Sequence, residues 1–126
     1  MGETPMRCRC SMLFVEDNFL LAESAVDALG AHGLKVQPVP DARSAFELFR
    51  RGHFDCAVID VELAGDMDGI TLARRILHVD PDFPIALATG YDADLCSAPA
   101  SIPVFQKPYR FEEIRMSICP RVLARR

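Results

Sequence analysis

Four short apolar runs punctuate this 126-residue chain, and each stops at an acid, a hydroxyl or a lysine. Residues 11–15 (SMLFV) lead into Glu16-Asp17, and residues 56–59 (CAVI) into Asp60. Residues 85–88 (IALA) lead into Thr89-Gly90, and residues 102–106 (IPVFQ) into Lys107-Pro108. Apolar runs of this length, bounded by turn residues, are buried strands. Between them lie stretches whose apolar residues recur at helical spacing. That alternation marks βαβ units, and so a parallel sheet with helices on its faces. Parallel strands all point one way, so the polar residues at their ends gather along one edge. In open α/β sheets that carboxyl edge holds the ligand.

The element pattern is specific enough to give a topology. A first strand spans residues 10–16. Asn18 caps a helix that runs to Gly30, with Leu21, Ala22, Ala25, Val26 and Leu29 on one stripe. A second strand covers 34–39. Asp41 caps a helix over 42–51, with Ala42, Ala45, Phe46 and Phe49 inward. A third strand covers 55–61, and the loop 62–68 leads to a helix over 69–79, with Ile70, Ala73, Ile76 and Leu77 inward. The fourth and fifth strands cover 84–88 and 102–106. A last helix starts near Tyr109 and turns Phe111, Ile114 and Ile118 inward. Residues 1–9 are expected to be a disordered leader before a single domain over 10–126. Proline donates no ladder hydrogen bond and is confined to sheet edges. Pro38 falls in strand two and Pro103 in strand five, which makes those strands the edges. The flavodoxin-like, doubly wound five-stranded order 2-1-3-4-5 satisfies this and puts its switch point between strands one and three. Those two strands carry Glu16-Asp17 and Asp60.

Composition removes several function classes. Half the residues are hydrophobic and the net charge is −4, so the chain buries a core and shows no footprint for nucleic acid. Arg121, Arg125 and Arg126 read as a solvated helix end. No apolar stretch approaches the ~20 residues that span a bilayer, and the first fifteen residues lack the pattern of a signal peptide. The five cysteines are odd in number and irregularly spaced, and Cys8-Arg-Cys10 lacks the gap of a zinc knuckle. Free thiols imply a reducing, cytoplasmic setting. His32, His53 and His78 fall at helix ends as exposed or capping residues, and Phe46 with Phe49 is core packing.

Three carboxylates converging on one point repel each other and need a cation. Hard oxygen donors with few neighbours suit Mg²⁺, which keeps several waters and also takes phosphate oxygens. A lysine adds positive charge, and a threonine hydroxyl can hydrogen-bond an anionic oxygen. A carboxylate can itself act as nucleophile and form an aspartyl-phosphate, with the protein positioning groups and neutralising charge. Asp60, the central acid on the middle strand, is the natural nucleophile.

Taken together, Glu16-Asp17, Asp60, Asp68-Gly69, Thr89-Gly90 and Lys107-Pro108 resemble the receiver domain of bacterial two-component response regulators. The resemblance covers residues 10–120. It implies that Asp60 accepts a phosphoryl group from the phosphohistidine of a histidine kinase or phosphotransfer protein. It implies Mg²⁺ held by Asp17 and Asp60, with Glu16 acting through water and the backbone carbonyl of Glu62 as a further ligand. Thr89 and Lys107 would contact the phosphoryl oxygens, and the Lys107-Pro108 bond would be cis.

The chain also departs from the family. One extra residue separates Asp60 from Asp68-Gly69, and the stretch has Gly65 and no proline where the family often has one in between, so this loop is expected to be longer and more mobile. Val104 stands where the family often has its switch aromatic. Residues 87–91, LATGY, instead resemble a Phe-Ala-Thr-Gly-Tyr motif, which makes Tyr91 the switch candidate beside Thr89. The stretch from Thr89 to Lys107 is short, so the fourth helix should be a turn or two over 92–97. Pro120 should end or kink the last helix near Cys119. In the family, positions 62 and 91 bear on the rate of dephosphorylation.

The expectation is a stand-alone receiver that signals through a protein partner, not named by the sequence, or through a phosphorelay. Alternatives are a receiver fragment of a larger regulator or hybrid kinase, a docking-only pseudo-receiver, and an aspartyl-nucleophile phosphatase suggested by Asp60-Val-Glu62.

Overall fold

In a computed structural model, residues 9–126 are described, so the expected leader and Cys8 lie outside the described residues, apart from Arg9. Five parallel strands form one sheet: β1 (Ser11–Val15), β2 (Lys35–Val39), β3 (Cys56–Asp60), β4 (Ile85–Thr89) and β5 (Val104–Gln106). Their order is β2-β1-β3-β4-β5, the doubly wound order read from proline placement. The helices are α1 (Phe19–Gly30), α2 (Ala42–Arg50), α3 (Gly69–Val79) and α4 (Phe111–Ala124).

Strand residues alternate between two cores. Leu13, Val15, Ala57, Ile59, Ile85 and Leu87 pack with α2 and α3. Met12, Phe14, Cys56, Val58 and Ala86 pack with α1 and α4. Every residue of β3 and β4 is buried, as expected for central strands of a parallel sheet. The caps are the expected ones. The Asn18 side chain accepts a hydrogen bond from Leu21 N–H, and the Asp41 side chain accepts one from Ser44 N–H.

Four details depart from the sequence reading. β5 has three residues, so Pro103 precedes the strand; the edge assignment holds, but the argument for it rests on Pro38 alone. In α3, Ala73 and Ile76 are buried as expected, but Leu72 joins them, whereas Ile70 and Leu77 are half-buried. The fourth helix, by contrast, is as short as expected, a single 3-10 turn over Ala93–Leu95. α4 continues past Pro120 to Ala124, so this proline does not end it. Pro120 and Met116 are both exposed, and water can reach the carbonyl that the missing N–H leaves free. Finally, the C-terminal arginines are not simply solvated. Arg121 Nη1 donates to the Ile85 carbonyl at 2.8 Å, and Arg125 pairs with Asp80 at 2.8 Å while lying over the Phe83 ring. They tie the end of α4 to the amino edge of the sheet, away from the carboxyl edge.

Candidate functional site

Because all five strands run the same way, the polar strand ends meet as expected. Glu16 and Asp60 are 4% exposed and Thr89 is 2% exposed, while Asp17 faces solvent. Oxygens of Glu16, Asp17 and Asp60 lie within 4.8 Å of one another. Such a cluster is too repulsive to stand without a counter-charge. Lys107 supplies one: its Nζ donates to Glu16 Oε1 at 2.8 Å and lies 3.3 Å from Asp60 Oδ2. The Lys107-Pro108 bond is cis, and Lys107 N–H donates to the Thr89 carbonyl at 2.7 Å, which fixes the root of the side chain.

The remaining oxygens of the two buried acids are held by backbone. Asn18 N–H donates to Glu16 Oε2 at 3.1 Å, and Glu62 N–H donates to Asp60 Oδ1 at 3.0 Å. Burial raises the Glu16 pKa above the ordinary carboxylate value, although Lys107 and Asn18 N–H pull it back; the Asp60 charge adds to the rise. Burial also lowers the Lys107 pKa, but the Glu16 hydrogen bond and the charges of Asp60 and Glu16 outweigh it, and the net shift is upward. Three carboxylates against one ammonium leave two negative charges when all are ionised. A hard dication fits that deficit and that oxygen donor set.

The loop after β3 is tied down more firmly than expected. Leu63 and Met67 are each 6% exposed and join the α2/α3 core. Asp68 caps α3 by accepting from Thr71 N–H at 2.8 Å. Gly69 sits so close to β3 that a Cβ there would lie 2.0 Å from the Asp60 carbonyl oxygen and 2.9 Å from Ile59 Cγ2. The Asp68-Gly69 pair therefore has two separate causes, a cap and a close backbone approach.

Two site residues make contacts that the sequence reading did not include. Glu62 enters that reading through its backbone carbonyl, but its side chain is also engaged. Thr89 Oγ1 donates to Glu62 Oε2 at 2.6 Å, and Gly90 N–H donates to Glu62 Oε1 at 2.7 Å. Tyr91 reaches Thr89 through backbone, its N–H donating to Thr89 Oγ1 at 3.1 Å, while its side chain is exposed. Tyr109 was not foreseen as part of the site. Burial pushes its hydroxyl pKa well upward, with the charges of Glu16 and Asp60 adding to the rise. Only its position just past Lys107-Pro108 hints at that in sequence. The phosphatase alternative loses ground, since Asp60 closes the central β3 and that motif belongs on a first strand.

Comparison with known proteins identifies the family. The family model for the response regulator receiver domain matches residues 12–117. The two-component response regulator PhoP of Pseudomonas aeruginosa is 36% identical over 107 residues, which are 82% of this chain and 47% of PhoP. The response regulator receiver protein CpdR of Brucella abortus is 31% identical over 107 residues, covering 82% of this chain and 88% of CpdR. In fold, the crystal structure of a response regulator receiver protein from Sinorhizobium medicae superposes with a TM-score of 0.83 at 23% identity, covering 93% of this chain and 97% of that one.

Proposed function

This chain belongs to the response regulator receiver domain family, and on that footing we propose that Asp60 is its phosphoryl acceptor. The carrying observation is that Asp60, buried at the end of the central strand, faces Lys107 Nζ at 3.3 Å within a three-carboxylate cluster. In the transfer, an Asp60 carboxylate oxygen forms the new bond to phosphorus as the phosphorus–nitrogen bond of a phosphohistidine breaks. The electron pair of the broken bond stays on the departing imidazole. Glu62 N–H orients Asp60 through Oδ1. The Lys107 ammonium neutralises charge on the transferred group, and the Thr89 hydroxyl hydrogen-bonds one of its oxygens. Asp17, Asp60 and the Glu62 carbonyl would hold Mg²⁺, with Glu16 assisting through water. The ion supplies charge neutralisation for the phosphoryl oxygens.

The donor is a histidine kinase or phosphotransfer protein, the partner class of this family. CpdR, of which this chain spans 88%, supports reading it as a stand-alone receiver. PhoP, of which it spans 47%, is the pattern of a receiver within a longer regulator. No helix among the described residues is long and apolar enough to cross a membrane, which accords with a cytoplasmic partner of kinases. The test is incubation with Mg²⁺ and acetyl phosphate, followed by intact mass. Wild type should gain one phosphoryl group and Asp60→Asn none. No gain on wild type, or an equal gain on the variant, overturns the assignment.

A further inference from the structure

The Glu62 carboxylate lies where an incoming anion would bind. Its two oxygens take the Thr89 hydroxyl hydrogen at 2.6 Å and the Gly90 N–H at 2.7 Å. Both bonds are short and charge-assisted, and together they make a two-point grip on the end of β4. A hydroxyl has one hydrogen to give. Tyr91 N–H already occupies a lone pair of Thr89 Oγ1, so that hydrogen is directed either to Glu62 or to a competitor, never to both. A phosphoryl oxygen and a carboxylate cannot share the donor pair either, because like charges at that distance repel.

We propose that Glu62 is an internal occupant of the anion seat formed by Thr89 Oγ1 and Gly90 N–H, and that the phosphoryl group on Asp60 must displace it. The inference rests on the acceptor reading above and adds a residue that sets the threshold for phosphorylation. Glu62 is anchored two residues beyond Asp60, so its grip on Thr89 and Gly90 also straps the β3–α3 loop to the β4 end. When displaced, the side chain has room to go. A groove of about 200 Å³ opens beside it, with Val61, Ile70, Tyr91, Asp92 and Leu95 among its lining residues. This groove lies along the short turn Ala93–Leu95. Phosphorylation thereby exchanges a carboxylate bound to Thr89 and Gly90 for one released toward exposed Tyr91 and Leu95.

A binding-competent fraction of about one tenth weakens the apparent affinity for any anion at the seat about tenfold. The experiment measures binding of beryllofluoride with Mg²⁺ to wild type, Glu62→Ala and Glu62→Gln, followed through the Thr89 and Gly90 amide resonances. Each variant keeps the backbone carbonyl at 62. Glu62→Ala should bind about tenfold more tightly than wild type, with Glu62→Gln in between. Without ligand, the Gly90 amide should exchange faster in Glu62→Ala. Equal or weaker binding by Glu62→Ala, with wild type binding normally and Asp60→Asn not binding, overturns the displacement idea alone. Failure of wild type to bind overturns the acceptor reading and this inference with it.

Discussion

Adding one methyl group at Gly69 should damage this protein more than its size implies. A Cβ at Gly69 falls 2.0 Å from the Asp60 carbonyl oxygen, 2.7 Å from the Asp60 carbonyl carbon and 2.9 Å from Ile59 Cγ2. Ordinary contact begins near 3.4 Å, so something must yield by more than an ångström. The two nearest atoms are backbone, and no rotamer change relieves them. Either the start of α3 lifts off the sheet or the end of β3 moves. Lifting α3 loosens Leu72, Ala73 and Ile76, each fully buried. Moving β3 displaces Asp60 from Lys107 and loosens its pairing with Ala88. Inserting methyl groups into packed cores costs about 1–3 kcal/mol when neighbours can adjust. With backbone on the receiving side, Gly69→Ala belongs at the top, about 3 kcal/mol. That is a large share of the ~5–15 kcal/mol that holds a domain together. In a chain of this length it lowers Tm by about 10 °C.

The assay is urea unfolding followed by circular dichroism, with Gly30→Ala as the matched comparison. Gly30 ends α1, and a Cβ there meets nothing within 4 Å. Relief of backbone entropy should leave that variant neutral or about 0.5–1 kcal/mol more stable. The same chemical change thus carries opposite signs at the two sites. A Gly69→Ala midpoint indistinguishable from wild type, or matching Gly30→Ala, refutes the close-approach account of the Asp68-Gly69 pair.

Two further outcomes follow from the ionised cluster and from α4. Glu16 has a folded pKa raised above 4.5, so the folded state binds more protons than the unfolded one between those values and stability falls as pH rises through that window. In Mg²⁺-free buffer, Glu16→Gln should therefore gain stability relative to wild type on going from pH 4 toward neutrality; a constant difference across that range refutes the assignment. In α4, Pro120→Ala restores a backbone donor at an exposed position and should raise stability by about 1–3 kcal/mol, read from the unfolding midpoint; a loss would mean that the helix depends on the bend.

The parts of the molecule most legible in sequence are those where one residue has one physical reason to be there. Asn18 and Asp41 are caps because each precedes a helical stripe, and both accept from the N–H three residues on. Pro38 marks an edge because it cannot donate. Glu16, Asp60, Thr89 and Lys107 converge because parallel strands bring their carboxyl ends together. Legibility fails where a residue's role depends on the path its side chain takes through space. Ile70 and Leu77 fit the helical stripe as well as Leu72 does, and only the way α3 lies on the sheet decides which is buried deepest. Arg121 and Arg125 look like a solvated helix end until the helix axis brings them to Ile85 and Asp80.

Glu62 shows the same limit inside the site, with chemical consequences. Read from sequence, it is a neighbour of the acceptor, contributing a carbonyl. In space its carboxylate crosses from the β3 end to the β4 end and takes donors proposed for the phosphoryl group. The cluster around Lys107 balances negative charge with positive, whereas the Thr89–Gly90 end balances donors with a carboxylate that the protein itself supplies. The first half is short of positive charge, and an anion that arrives at the second must replace the Glu62 carboxylate. The proposed phosphoryl transfer to Asp60 with a bound dication would supply the positive charge and the competing anion in one event, which is a physical reason for the two halves to sit side by side at the carboxyl edge of β3.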